Sequence, residues 1–169
     1  MTKMANTDEK FYEDANGVYF KSGYLSQWFP CTFAISDMSF NCCEQWMMYN
    51  KAKVFGDIEI ATLLLHETDP KCQKEYGRAV KNFDPIKWDE ICDDIVYNGN
   101  LAKFAQNQEL KDKLLATGDK IIVECAPYDK IWGNGLSITD TLRTPQDSWN
   151  GTNRLGKALM KVRDTIKSM

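Results

Sequence analysis

Glu44 and Lys51 stand seven residues apart, and the run from Gln45 to Phe55 between and beyond them holds neither glycine nor proline. At about 100° per residue, a helix through this run puts both side chains on one face, with Met48 and Phe55 beside them. A carboxylate and an amine over apolar neighbours form a setting that lowers a lysine's proton affinity and leaves part of it as a free amine nucleophile near neutrality. The plain alternative is that Glu44 closes a capping box and Lys51 runs its stem along the surface into water. Spacing alone does not choose between them.

A second constellation is Asp129-Lys130-Ile131-Trp132-Gly133-Asn134-Gly135. It combines a carboxylate, a flat aromatic face for a base or sugar, and glycines that let a ligand approach the backbone. Its plain reading is a buried tryptophan among turn glycines. The third is Trp149-Asn150-Gly151-Thr152-Asn153-Arg154-Leu155-Gly156, a turn into a helix N-terminus. Free N–H groups there, with the helix dipole and the charge of Arg154, suit a phosphate. The segment matches neither the dinucleotide fingerprint nor the P-loop pattern, and an ordinary capped helix also explains it. Arg78, after Gly77, is placed to pair with a phosphate or with an acidic neighbour. His66 is the only histidine, and no Gly-x-Ser-x-Gly elbow accompanies it. A Ser-His-Asp hydrolase is thereby disfavoured, and acid–base work falls to carboxylates and lysines.

The elements that must position these groups are mostly helices. Asn41-Cys42-Cys43-Glu44 reads as a cap with Glu three residues on, and Asp69-Pro70 and Asp84-Pro85 each set a capping side chain before a proline at the first helical position. Ile86 to Leu115 reads as helix with a break at Asn98-Gly99-Asn100 and an end at Thr117-Gly118. Asn153 is expected to cap a last amphipathic helix, Arg154 to Ile166, with Leu155, Leu159, Val162 and Ile166 as its stripe. Val18 to Lys21, Cys31 to Phe40 with a turn at Ser36-Asp37, and Ile121 to Cys125 read as short strands. The expectation is an α+β protein, predominantly helical, in which residues 11–169 form a single compact domain with a few short strands and residues 1–10 a flexible arm.

Composition bounds the function. A chain of 169 residues, 43% of them hydrophobic, can bury one sizeable core. No secretory signal or membrane-spanning run is visible, so a cytoplasmic protein without a membrane partner is expected. Six cysteines form no C-x-x-C pair and read as reduced, buried thiols, and no metal site is expected. The net charge of -3 argues against a protein that coats duplex nucleic acid.

In order along the chain, Tyr24-Leu25-Ser26-Gln27-Trp28-Phe29-Pro30, Glu44-Gln45-Trp46-Met47-Met48-Tyr49-Asn50-Lys51-Ala52, Asp69-Pro70, Gly77-Arg78, Trp88, Lys103-Phe104-Ala105-Gln106-Asn107, Thr117-Gly118, Ala126-Pro127-Tyr128-Asp129-Lys130-Ile131-Trp132-Gly133 and Asn153-Arg154-Leu155-Gly156 resemble the NADAR (YbiA-like) family. The resemblance runs from about residue 18 to 165 and implies a compact YbiA-like fold acting on N-ribosides. Carried over by position, the family's acid falls on Glu44, its lysine on Lys51, its tryptophans on Trp88 and Trp132, and its second acid on Asp129. Ligand contacts are then expected from Trp28, Arg78, Gly133, Asn153, Arg154 and Gly156. The implied reaction is hydrolysis of an N-glycosidic bond, with no cofactor. The implied substrate is ADP-ribose on a modified base such as guanine in DNA, so ADP-ribosylated nucleic acid is a candidate partner. A phosphoribosylamino-pyrimidine of riboflavin synthesis is the alternative substrate, and a non-catalytic ADP-ribose or NAD binding module the alternative class.

Overall fold

The computed structural model describes residues 9–169. Most of the expected flexible arm, residues 1–8, lies outside the described residues. Seven α-helices and five short strands follow among them, so the α+β, mainly helical expectation holds. The chain divides into two compact units, one formed by residues up to Ser26 together with Asp112–Met169, the other by Gln27–Lys111.

The first unit is built on a three-stranded sheet of order β1 (Phe11–Glu13), β2 (Gly17–Phe20), β5 (Ile121–Glu124). The β1–β2 hairpin turns on Asp14, whose Oδ1 accepts the N–H groups of Asn16 and Gly17. β2 pairs in parallel with β5, Gly17 opposite Ile121 and Phe20 opposite Glu124. All four β2 residues are buried, as a central strand covered on both faces requires. Helix α7 (Arg154–Lys167) packs on β5. Its stripe is the expected one: Leu155, Leu159, Val162 and Ile166 are all buried. A short helix α6 (Ile138–Arg143), capped by Ser137, adds Ile138 to a cluster with Tyr19, Val123 and Cys125. The hairpin strand β1 has too little alternation to be visible in the sequence.

The second unit centres on α1 (Cys43–Val54), against which α2 (Ile58–His66), α3 (Pro70–Arg78) and α4 (Pro85–Gln106) pack. Strands β3 (Phe33–Ile35) and β4 (Met38–Phe40) form a hairpin whose two-residue turn is Ser36-Asp37, both with positive φ, as expected. Asp69 and Asp84 cap α3 and α4 through their side chains, each followed by its proline. Two expectations are corrected. Cys42, not Asn41, is the N-cap of α1, and it makes no side-chain capping bond. The reciprocal contact comes one residue later than expected, from the Asn41 N–H to Gln45 Oε1 at 2.7 Å, so Glu44 closes no box with Asn41. Nor does Asn98-Gly99-Asn100 break the helix: α4 runs through it for 22 residues and stops only at Asn107, before α5 (Gln108–Ala116). Gly99 serves close approach instead, since a Cβ there would fall on the Trp46 indole. That indole donates its N–H to the Ile95 carbonyl at 2.8 Å. Asn100, fully buried, donates to Gln27 Oε1 and the Val96 carbonyl.

Candidate active site

Helix α1 brings Glu44 and Lys51 to one face of the second unit, two turns apart. Glu44 is buried and Lys51 half-buried. Met48, between them, lies against Gly77 of α3, where any Cβ would fall on the Met48 sulfur. The missing side chain lets α3 sit close on α1. Arg78, the exposed last residue of α3, thereby acts on Lys51. The lysine's proton affinity is held below its ordinary value, first by burial and then by the Arg78 charge, while the Glu44 carboxylate opposes both. The Lys51 ammonium stands 4.4 Å over the centre of the Phe83 ring, and Phe55 meets Phe83 edge-on at 5.3 Å. The arrangement thus combines an amine whose proton affinity burial lowers with a carboxylate on the same helical face whose charge raises it.

Two more expected residues lie in this unit. Trp28 is exposed at its start. Trp88 is half-buried in the first turn of α4, four residues after the Asp84 cap, while Phe83 immediately precedes that cap. These are the two positions at which apolar side chains set the entry of a chain into a helix.

In the first unit, Asp129 Oδ1 accepts the N–H groups of Ile131 and Trp132 at 3.0 and 2.9 Å, so this carboxylate shapes its own loop. Trp132 is half-buried, and the Arg154 guanidinium covers its face at 5.2 Å from the ring centre. Gly133 is buried where a Cβ would press on the carbonyl oxygens of Asp129 and Glu124. The free backbone N–H groups expected at the start of α7 are not there. The N–H groups of Asn153, Arg154 and Leu155 donate to the carbonyls of Gly133, Ile131 and Trp132 in turn. An anion at this helix end is left with the Arg154 side chain, not a backbone cradle. Asn153 is the N-cap by position, at φ 50, but its side chain makes no capping bond. It faces β5 instead, accepting from Glu124 N–H and donating to the Ile122 carbonyl, each at 3.0 Å. Gly156 is a packing glycine, its Cβ position occupied by the Ile122 carbonyl and the Asn153 amide.

Two residues escaped the sequence reading. Phe83 carried no signal beyond its place before Asp84-Pro85. Lys103, in the Lys103–Asn107 segment, has no role that its sequence neighbours suggest, yet it is fully buried, with its ammonium 5.0 Å from the Phe104 ring centre and 5.5 Å from that of Phe29. Burial lowers its proton affinity, and the neighbouring thiols of Cys43, Cys31 and Cys42 act the other way.

The NADAR domain model matches residues 10–167. N-glycosidase R617 of Acanthamoeba polyphaga mimivirus is 41% identical over 160 residues, covering 91% of this chain and 94% of that protein. Riboflavin biosynthesis protein VVA0006 of Vibrio vulnificus is 27% identical over 145 residues, 86% of this chain and 36% of that protein. The NMR structure of the E. coli protein YbiA superposes with a TM-score of 0.76 at 22% identity, covering 96% of this chain and 91% of that one, and shows a shared fold. The chain belongs to the NADAR family. Within it, the chain is an enzyme of the class that hydrolyses N-glycosyl compounds. No helix among the described residues is long and apolar enough to cross a membrane.

Proposed function

We propose that this chain removes ADP-ribose from a modified base, with guanine in DNA as the foremost substrate, and that Lys51 is the nucleophile. The observation that carries the reading is the Lys51 amine itself, half-buried on α1, with lowered proton affinity and with Glu44 on the same helical face. As the bond from ribose C1 to the base nitrogen lengthens, C1 gains oxocarbenium character and the departing base takes up a proton. The free amine of Lys51 bonds to C1. The ring oxygen then leaves C1 as a hydroxyl, giving an imine that water hydrolyses to free ADP-ribose and the regenerated amine. Glu44 relays protons to and from the amine. The roles assigned to Asp129, Trp132, Gly133, Arg154, Trp88 and Trp28 rest on the family resemblance.

The test is release of ADP-ribose from ADP-ribosylated guanine in DNA by wild type and Lys51→Ala, with borohydride added during turnover. Release that vanishes in the variant, with a reduced adduct mapped to Lys51 in wild type, is expected. Full activity of Lys51→Ala would sink the nucleophile. A second reading, cleavage of a phosphoribosylamino-pyrimidine, is favoured by the name of the Vibrio relative. It wins if only that riboside is cleaved.

A further inference from the structure

The proposed reaction asks two opposite things of Lys51: enough proton loss to attack, and a fixed place to attack from. Burial acts toward the first. For the second, the ring of Phe83 lies 4.4 Å under the ammonium, and Phe55 braces that ring edge-on at 5.3 Å. Phe55 closes the C-terminal end of α1, where its own N–H donates to the Lys51 carbonyl at 3.3 Å. Phe83 follows Asn82, which turns the chain through the left-handed region at φ 61, and precedes the Asp84 cap of α4. Both ends of the aromatic pair are therefore fixed by backbone features. Phe83 as a residue is nonetheless 42% exposed, more than one kept only for the core needs to be.

We propose that Phe83, braced by Phe55, is the positioning residue of the Lys51 amine: its ring face fixes where the amine rests between turnovers and keeps bulk water off that side. The proposal rests on the reading of Lys51 as the nucleophile. The charges acting on the amine are Glu44 on its own helix and Arg78 from α3. None from α2, α4 or β4, the other elements against α1, is among the causes that shift it. The ring makes two contributions of opposite sign. Its bulk desolvates the ammonium, and its π-face stabilises the same ammonium. Substitutions can separate the two.

The experiment is the pH midpoint for trace acetylation of Lys51 by acetic anhydride in the full chain, read by mass spectrometry of the Lys51 peptide, in wild type, Phe83→Leu, Phe83→Ala and Phe83→Tyr. Leu keeps the bulk and loses the π-face, so the midpoint falls, by about 0.5–1 pH unit. Ala admits water, so the midpoint rises toward that of an ordinary lysine. Tyr keeps the ring and the wild-type midpoint. The pH profile of ADP-ribose release moves in the same directions. Midpoints that stay put in all variants, or that move together in Leu and Ala, overturn the proposal. If Ala does not fold, the Leu and Tyr pair decides alone: a Leu midpoint equal to that of Tyr overturns it. Failure of the nucleophile reading shows separately, as full activity of Lys51→Ala. Failure of this inference shows as Lys51-dependent activity with midpoints indifferent to residue 83.

Discussion

The side-chain amide of Asn153 pairs with the backbone of Glu124 as a neighbouring strand would, its oxygen accepting the Glu124 N–H at 3.0 Å while its nitrogen donates to the carbonyl of Ile122, two residues back. β5 is an edge strand, and this one side chain satisfies that stretch of its open edge while fixing the start of α7. Gln106 does the same for β3, donating to and accepting from Ala34 at 2.8 Å each. Asn153→Gly keeps the left-handed backbone and removes both bonds, leaving the buried Ile122 carbonyl unpaired at ~1–3 kcal/mol and the part-buried Glu124 N–H unpaired at less. Asn153→Asp keeps the acceptor but turns a carboxylate oxygen toward the Ile122 carbonyl, and is expected to cost at least as much. Urea unfolding checks both. A Gly variant as stable as wild type would show that the edge needs no partner.

Gly156→Ala and Gly77→Ala separate rigid from yielding neighbours. At Gly156 the new methyl meets the Ile122 carbonyl oxygen, which is backbone and cannot step aside, so the cost lies at or above the upper end of the ~1–3 kcal/mol usual for overpacking. At Gly77 it meets the Met48 thioether, which can swing away. Gly77→Ala should therefore fold well, cost less stability than Gly156→Ala, and leave α3 and Arg78 in place beside Lys51 with activity largely kept. Thermal unfolding and turnover on the same preparations compare the two.

Thiol reactivity follows burial. Cys42, Cys43, Cys92 and Cys125 are buried, while Cys31 and Cys72 are only half-buried, a correction to the expectation that all six are buried. Desolvation pushes the thiols of Cys42 and Cys125 up to about 11 and that of Cys43 up to about 12. At pH 8 an aromatic disulfide reagent should modify Cys31 and Cys72 slowly in the native protein and all six cysteines in urea. Rapid native labelling of Cys43 would contradict the packing of α1.

Lys103 makes the folded state hold its proton less tightly than the unfolded one does. Between the lowered folded value and the ordinary ~10.4, the unfolded chain binds more protons, so this residue's contribution to stability improves as pH rises through that window. Lys103→Met has no such dependence. The stability difference between Lys103→Met and wild type should thus shift in favour of wild type from pH 8 to pH 10, measured by urea unfolding at each pH. Being fully buried, Lys103 is also expected to yield no borohydride adduct, so peptide mapping of the trapped enzyme should find Lys51 alone.

What could be read in advance was local chemistry. Asp-Pro pairs, the Ser36-Asp37 turn and the Leu155–Ile166 stripe act through neighbours in sequence, and each appears where its residues place it. The shared face of Glu44 and Lys51 needed only helical periodicity. What stayed hidden depended on distant partners. Asn98-Gly99-Asn100 looks like a break until Trp46 arrives from α1 to fill the place of a side chain at Gly99. Asn153 looks like a cap until β5 offers a better pair of partners. Phe83 means nothing for Lys51 until the turn at Asn82 brings its ring beneath the amine.

The parallel pairing of β2 with β5 joins Gly17 to Ile121, residues that leave the ribosome far apart in time. Residues 27–111, which contain α1 and Lys51, make a continuous stretch between them whose helices rest on nearby chain. During synthesis the N-terminal hairpin must wait for β5, with one long edge of β2 open, while the intervening helices already have their partners. Slow translation beyond residue 111 would therefore lengthen the life of an exposed β2 edge, and aggregation of nascent chains should depend on β2 rather than on the helices around Lys51.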